Sequence, residues 1–435
     1  WIPSLFNSDN SWDTSLSKSL SPWFQGEYRV YFTPRLTFLA YWDYTYSDSK
    51  GNSESQTGET PIIYNAFSEQ LHSLYATASL TYKFSPKFSL RLSLQEDTQF
   101  DKIDYNGSYD NDFNQTLSLV RVKLRGSWKP RSNVSLTVNP FITVNYRKVQ
   151  GLPTFHAVNP HVETYFNWSQ TDITSMRAWL HYITHQVPAS AVNNVLQQQN
   201  PFLWLKGDPN LKNYNVLMAG LTQTWISSNW LTTTLLLDYS RINHVIYRNY
   251  TAASADLGGV ILSYTDCGTE NTFKVGMNFN LNLFNRRVSL NLMPHWVWLN
   301  TPDKVQSFNY NRFIINANAG YNFKNFRIWC YYNGAQKNYY NHGKYYDYIP
   351  DIWGAGIAYG NGNIYASFVV QDMFHNKSNQ IFDSDFDNYH SYQVSHMRGR
   401  CFMLNLSYTF GYGRRVDNDI YIQSGRSLES GVIHK

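Results

Sequence analysis

A chain of 435 residues could hold two or three soluble domains or one large sheet, and its formal charge of +5 is too mild and dispersed to point to nucleic acid. Aromatics make up 17% of it, against 15% charged residues, a balance expected where Trp and Tyr sit at a membrane interface and Asn, Ser and Thr face water. No window approaches about eighteen consecutive apolar residues, which excludes a transmembrane helix. Cys267, Cys330 and Cys401 lie far apart at no metal or redox spacing, so neither a disulfide framework nor a metal site is expected.

In chain order, residues 1–22 are rich in Ser, Asn and Asp and read as a loop. A strand over 24–32 returns through Thr33-Pro34-Arg35 into 36–46, and a long polar loop follows over 47–68. The rhythm repeats: 71–84 turns at Ser85-Pro86-Lys87 into 88–96, a loop covers 97–114, and 117–128 turns into 133–147. Next, 161–168 turns into 175–185, and a long excursion over 186–213 precedes 214–226. That strand turns at Ser227-Ser228-Asn229 into 230–248, and a loop over 249–268 follows.

The stretch 272–298 shows the pattern most plainly. Phe273, Val275, Met277, Phe279, Leu281 and Leu283 alternate with Lys274, Gly276, Asn278, Asn280 and Asn282. Its second arm sets Val288, Leu290, Leu292, Trp296 and Trp298 against Ser289, Asn291 and His295. Period two over ten or more residues, ending in aromatics, is the pattern of a transmembrane β-strand of roughly 9–11 tilted residues. Soluble strands usually run about five or six. Further strands follow at 308–323, 326–339, 352–359, 364–373 and 397–410.

Short turns alternate with long loops throughout, as at the two ends of an outer-membrane barrel, with short periplasmic turns and long extracellular loops. The fold class is therefore all-β, a transmembrane antiparallel β-barrel of about seventeen strands spanning 23–411, with 1–22 an extracellular loop remnant and 412–435 a periplasmic tail. The first and last strands both descend toward the periplasm. Because single-chain bacterial barrels have even strand numbers, parity predicts further strands before Trp1.

Two segments resemble a known family. Gly207-Asp208-Pro209-Asn210-Leu211-Lys212 resembles the segment before a mid-barrel strand in TonB-dependent outer-membrane receptors, with Asp208 where Asn is usual. The run Leu406-Ser407-Tyr408-Thr409-Phe410-Gly411-Tyr412-Gly413-Arg414-Arg415-Val416 resembles the carboxyl end of their SusC-like members, with Arg414-Arg415 where Lys is common. The resemblance implies a plugged barrel of twenty-two strands, of which these would be the last seventeen, importing a glycan, peptide or metal chelate. It also implies outer-membrane lipid, TonB and a SusD-like surface lipoprotein or other outer-membrane proteins as partners. No plug or TonB box is found in these residues.

Site candidates follow from the inward faces. Arg91, Arg121, Lys123 and Arg125 either hold an acidic plug, attract an anionic ligand or form a solvated wall. Asn278, Asn280 and Asn282 read as a wall for a plug to touch. In the excursion, Phe202 and Trp204 are candidates to close over a ligand, although the Gly-Asp-Pro-Asn run is also a simple turn. Tyr339, Tyr340, Tyr345 and Tyr346 form an aromatic loop suited to a sugar, a peptide or a protein lid, or to an interface belt. Nothing sets a base beside a nucleophile, so no catalytic residue, metal or cofactor is expected. The rival readings are a scaffold barrel in an outer-membrane complex, a passive porin and a soluble all-β binding protein.

Overall fold

The computed structural model of the chain describes residues 11–57, 63–107, 111–200, 203–254, 257, 259–302, 307–386 and 389–410. Phe202, the tail at 412–435 and the carboxyl motif from Gly411 onward lie outside the described residues.

Eighteen strands make one antiparallel sheet, and two of them share a place in it, so the wall has seventeen positions. The first position holds Ser11–Leu20 and Trp23–Thr33, which pair end to end along Leu36–Thr57. From there the wall passes through Ile63–Ser85, Phe88–Gly107, Asn111–Arg131, Val134–Val149, Phe155–Thr171 and Thr174–His185. It continues through Tyr214–Ser228, Leu231–Asn243, Thr269–Leu283, Val288–Thr301 and Phe308–Phe323. Phe326–Asn333, Ile352–Asn361, Ile364–Gln371 and Cys401–Tyr408 complete it. Every neighbour in space is the next wall strand in sequence, which is the simple meander that the alternation predicts.

The two faces of this wall are inverted relative to a soluble protein. Leu94, Val122 and Ile142 are direct cross-strand neighbours and are 52%, 49% and 51% exposed. On the opposite face Gln95, Gln99, Asp101, Thr143 and Asn145 are buried. A contiguous apolar exterior over a polar interior is unstable in water and is what lipid requires. Aromatics collect at the ends of the apolar band: Phe273 and Trp298 stack with centroids 5.6 Å apart, and Trp296 lies 5.6 Å from both Trp298 and Phe313.

One end of the wall is closed by tight turns that share a device. The side-chain oxygen of the last strand residue accepts the backbone N–H three residues on: Thr33 from Leu36 at 3.0 Å, Ser85 from Phe88 at 3.1 Å and Ser228 from Leu231 at 3.2 Å. Such local bonds satisfy backbone groups that leave the ladder at the turn.

The other end departs from the expected loops. Residues 11–20, expected to be loop, form a strand that pairs antiparallel with residues 48–57 of the neighbouring strand. The 230–248 strand ends at Asn243, where His244 takes φ 60°, and the chain leaves the wall as Ile246–Ala252. This strand pairs with Val260–Asp266, so the expected 249–268 loop contains a strand pair. Likewise the 326–339 strand stops at Asn333, and Gln336–Tyr340 pairs instead with Tyr345–Ile349. The final strand begins at Cys401, while Tyr389–Arg398 pairs with Lys377–Phe386.

Two four-stranded rim sheets result. The first joins Gln197–Asn200, Leu203–Leu205, Val260–Asp266 and Ile246–Ala252, and Leu203–Leu205 runs parallel to its partner Val260–Asp266. The second joins Gln336–Tyr340, Tyr345–Ile349, Lys377–Phe386 and Tyr389–Arg398.

Candidate functional site

The excursion over 186–213 is a packed cap. Val187, Ala191, Val192, Val195 and Leu211 join Ile103, Tyr105, Phe113 and Val149 of the wall in one buried cluster. Asn193 is fully buried and donates to the Tyr105 hydroxyl at 3.0 Å. Burial pushes the Tyr105 phenol pKa up.

Gly-Asp-Pro-Asn works as a turn here. The Gly207 amide donates to the Asn193 carbonyl at 2.6 Å, and a Cβ on Gly207 would stand 2.4 Å from that same oxygen. The Asp208 carboxylate accepts the Asn210 amide at 2.9 Å, an Asx turn. Arg147 then reaches across from the wall, its Nη2 donating to the carbonyls of Pro209 and Leu211 at 3.1 Å each. Trp204 is only 3% exposed, inside the first rim sheet, so it forms part of the packed rim and presents no open ring face.

The basic residues separate by depth. Arg91 and Arg125 face each other across neighbouring strands toward the tight-turn end, where Arg91 Nε donates to Thr81 Oγ1 at 2.9 Å. Arg121 and Lys123 lie nearer the cap and line a cavity of about 440 Å³ on the inner face. Lys123 Nζ is 5.0 Å from the Phe141 ring centroid, a cation–π contact. The cavity also takes in Asp97, His161, Glu163 and His185. His161 is not among the residues that the inward charge pattern picks out, although it shares a strand face with Glu163 two residues on.

Asn278 and Asn280 both accept from Asn291 Nδ2 on the adjoining strand, the first at 2.7 Å. Asn282 sits opposite Ser289 on the same face. An amide network of this kind makes a fully polar wall without net charge.

The four tyrosines of the aromatic loop are assembled by the second rim sheet. Tyr339 faces Tyr346 and Tyr340 faces Tyr345 across one hairpin. Lys337 Nζ lies 3.7 Å from the Tyr346 centroid and 4.9 Å from that of Tyr339. Hydrogen bonding to Tyr339 holds the Lys337 ammonium above its ordinary pKa. Tyr310 of the wall packs edge-on to Tyr339 at 4.5 Å, which ties this cluster to the barrel.

No family model matches this chain, and no curated protein does. Solved structures do. The copper transporter OprC superposes with a TM-score of 0.64 at 9% identity, over 92% of this chain and 72% of its own. The ferric citrate transporter FecA gives 0.58 at 12%, over 92% and 62%. The ferric preacinetobactin receptor BauA from Acinetobacter baumannii gives 0.55 at 13%, over 91% and 63%. At such identities the likeness is one of fold, that of TonB-dependent receptor barrels, and the chain spans about two thirds of these neighbours' lengths.

Proposed function

We propose that this chain forms most of the wall and the mouth of a TonB-dependent outer-membrane importer, with its long-loop end outside the cell and its tight turns in the periplasm. The inverted wall carries this reading, because an apolar exterior over buried Gln, Asn and Asp is a lipid-spanning arrangement with a wet interior. The packed cap and rim sheets favour a gated mouth over an open pore. The fold neighbours, two transporters and a receptor, are consistent with import and give no support to catalysis.

Within that reading, Arg91, Arg125 and the Asn278–Asn280–Asn291 network face a plug, and coupling to TonB belongs to parts of the protein beyond this wall. The SusC-like likeness of the carboxyl run over 406–416 makes a glycan or peptide the favoured substrate class and a surface lipoprotein a candidate lid over Tyr339, Tyr340, Tyr345 and Tyr346. The substrate neighbours named above are metal-related, so a metal chelate stands as the competing class.

The test is conductance and uptake by the full-length protein. In planar bilayers it should be closed at rest, and uptake in cells should stop when TonB is deleted. A steady open pore would overturn the importer reading in favour of a porin.

A further inference from the structure

The inner-face cavity contains a buried donor with no acceptor among the described residues. His161 is 5% exposed, and its ring is fixed by stacking on Phe141, with centroids 4.4 Å apart and planes 4° from parallel. Its Nδ1 accepts the Thr184 amide at 2.9 Å, so in the neutral ring the proton belongs to Nε2. That Nε2–H is buried and has no hydrogen-bond partner among the described residues. A buried donor left unmet costs roughly 1–3 kcal/mol, so its retention beside a cavity calls for an acceptor from elsewhere.

The surrounding charges indicate which acceptor. Lys123 and Arg121 line the same space, and Lys123 makes no ion pair among the described residues. Two carboxylates, Asp97 and Glu163, also line it, and Glu163 Oε2 already accepts from Asn139 Nδ2 at 3.2 Å. A ligand bringing only cationic or donor groups would leave the His161 proton unmet. A volume of about 440 Å³ suits a solute of amino-acid or dipeptide size.

We propose that this cavity is a carboxylate-binding site. One ligand oxygen accepts the His161 Nε2–H, the Lys123 ammonium offsets the ligand's charge, and the apolar body rests on Leu117, Leu119 and Ile183. The inference rests on the reading that this face lines the lumen. Two sources share the chemistry: a free organic acid, or an Asp or Glu side chain from a segment of the protein that enters the lumen.

The experiment uses the full-length protein in detergent, its folding checked by heat-shifted electrophoretic mobility. N-acetyl-phenylalanine and its uncharged carboxamide are titrated calorimetrically into wild type, His161→Phe, which keeps the ring stack, and Lys123→Met. The acid should bind at least tenfold more tightly than the amide, and each variant should weaken the acid at least tenfold. Equal binding of acid and amide, or unchanged affinity in both variants, overturns the proposal.

If wild type binds neither, a photo-crosslinking benzoylphenylalanine at position 161 decides. Capture of a segment of the same chain containing Asp or Glu supports the internal source. Capture of none, or of a segment without a carboxylate, overturns the site. Because binding in detergent needs neither TonB nor transport, failure here leaves the importer reading standing, and failure of uptake leaves this site standing.

Discussion

The indole of Trp329 fills the space that a Cβ on Gly356 would need, its nearest atom standing 2.4 Å from that position across the strand pair. Two residues along, Tyr331 does the same over Gly354, at 2.3 Å. A large ring laid over a directly opposed glycine covers an otherwise bare stretch of sheet and fixes the register of Phe326–Asn333 against Ile352–Asn361. Gly356→Ala should therefore cost about 1–3 kcal/mol through overpacking. Urea unfolding in lipid vesicles, followed by Trp fluorescence, measures it; an unchanged midpoint and spectrum would contradict the close approach.

Charge on the outer face should cost in proportion to depth. Val122 lies amid Leu94 and Ile142, whereas Trp128 lies near the tight-turn end beside Phe88. Arg at position 122 should cost about 2–4 kcal/mol, and at 128 about 0–1 kcal/mol. The comparison is read from refolding into vesicles of defined thickness. Equal costs at both positions would mean that this face does not meet lipid.

The cap depends on Arg147. Arg147→Gln removes or weakens two bonds to the Pro209 and Leu211 carbonyls, each worth about 1.5–3 kcal/mol when the donor is charged. Hydrogen exchange should accelerate at the Gly207 and Asp208 amides while the Val122 amide keeps its protection. Uniform acceleration, or none, would show that the clamp does not hold the cap separately.

Much of the wall was legible in the sequence, and the reasons for the exceptions are physical. All seventeen wall positions overlap strands expected from the sequence, most plainly at 272–298, where lipid on one face and water on the other imprint alternation. Where strands rise beyond that band the imprint disappears, so the sequence of Ser11–Leu20 and of the 48–57 segment reads as loop although they pair residue for residue. The rim sheets were illegible for another reason. Leu203–Leu205 pairs in parallel with Val260–Asp266, a partner more than fifty residues away, and no local pattern reports such a choice. Arg121 and Lys123 were visible as inward cations, but only the register brings His161 opposite Phe141 and so reveals what they surround.

The rim should respond to alkaline pH through one phenol. Tyr247 donates to the Glu270 carboxylate, and burial first, then the Glu270 charge, raises the phenol above its ordinary value. A raised folded-state pKa means the neutral phenol is favoured by the fold. This contribution is fully present below about pH 10, the ordinary tyrosine value, and is lost as pH climbs from there toward the folded value. Thermal unfolding between pH 9 and pH 12 should thus fall more steeply in wild type than in Tyr247→Phe. Parallel curves would remove Tyr247 from the account.

The central claim, a wall with lipid on one face and water on the other, is tested most directly by spin-label accessibility along Val288–Thr301 in vesicles. Labels at Leu290, Leu292 and Trp296 should be relaxed by oxygen, which concentrates in lipid, and labels at Ser289, Asn291 and His295 by a water-soluble nickel chelate, alternating with period two. Chelate access that is equal at both sets would contradict the membrane-spanning wall.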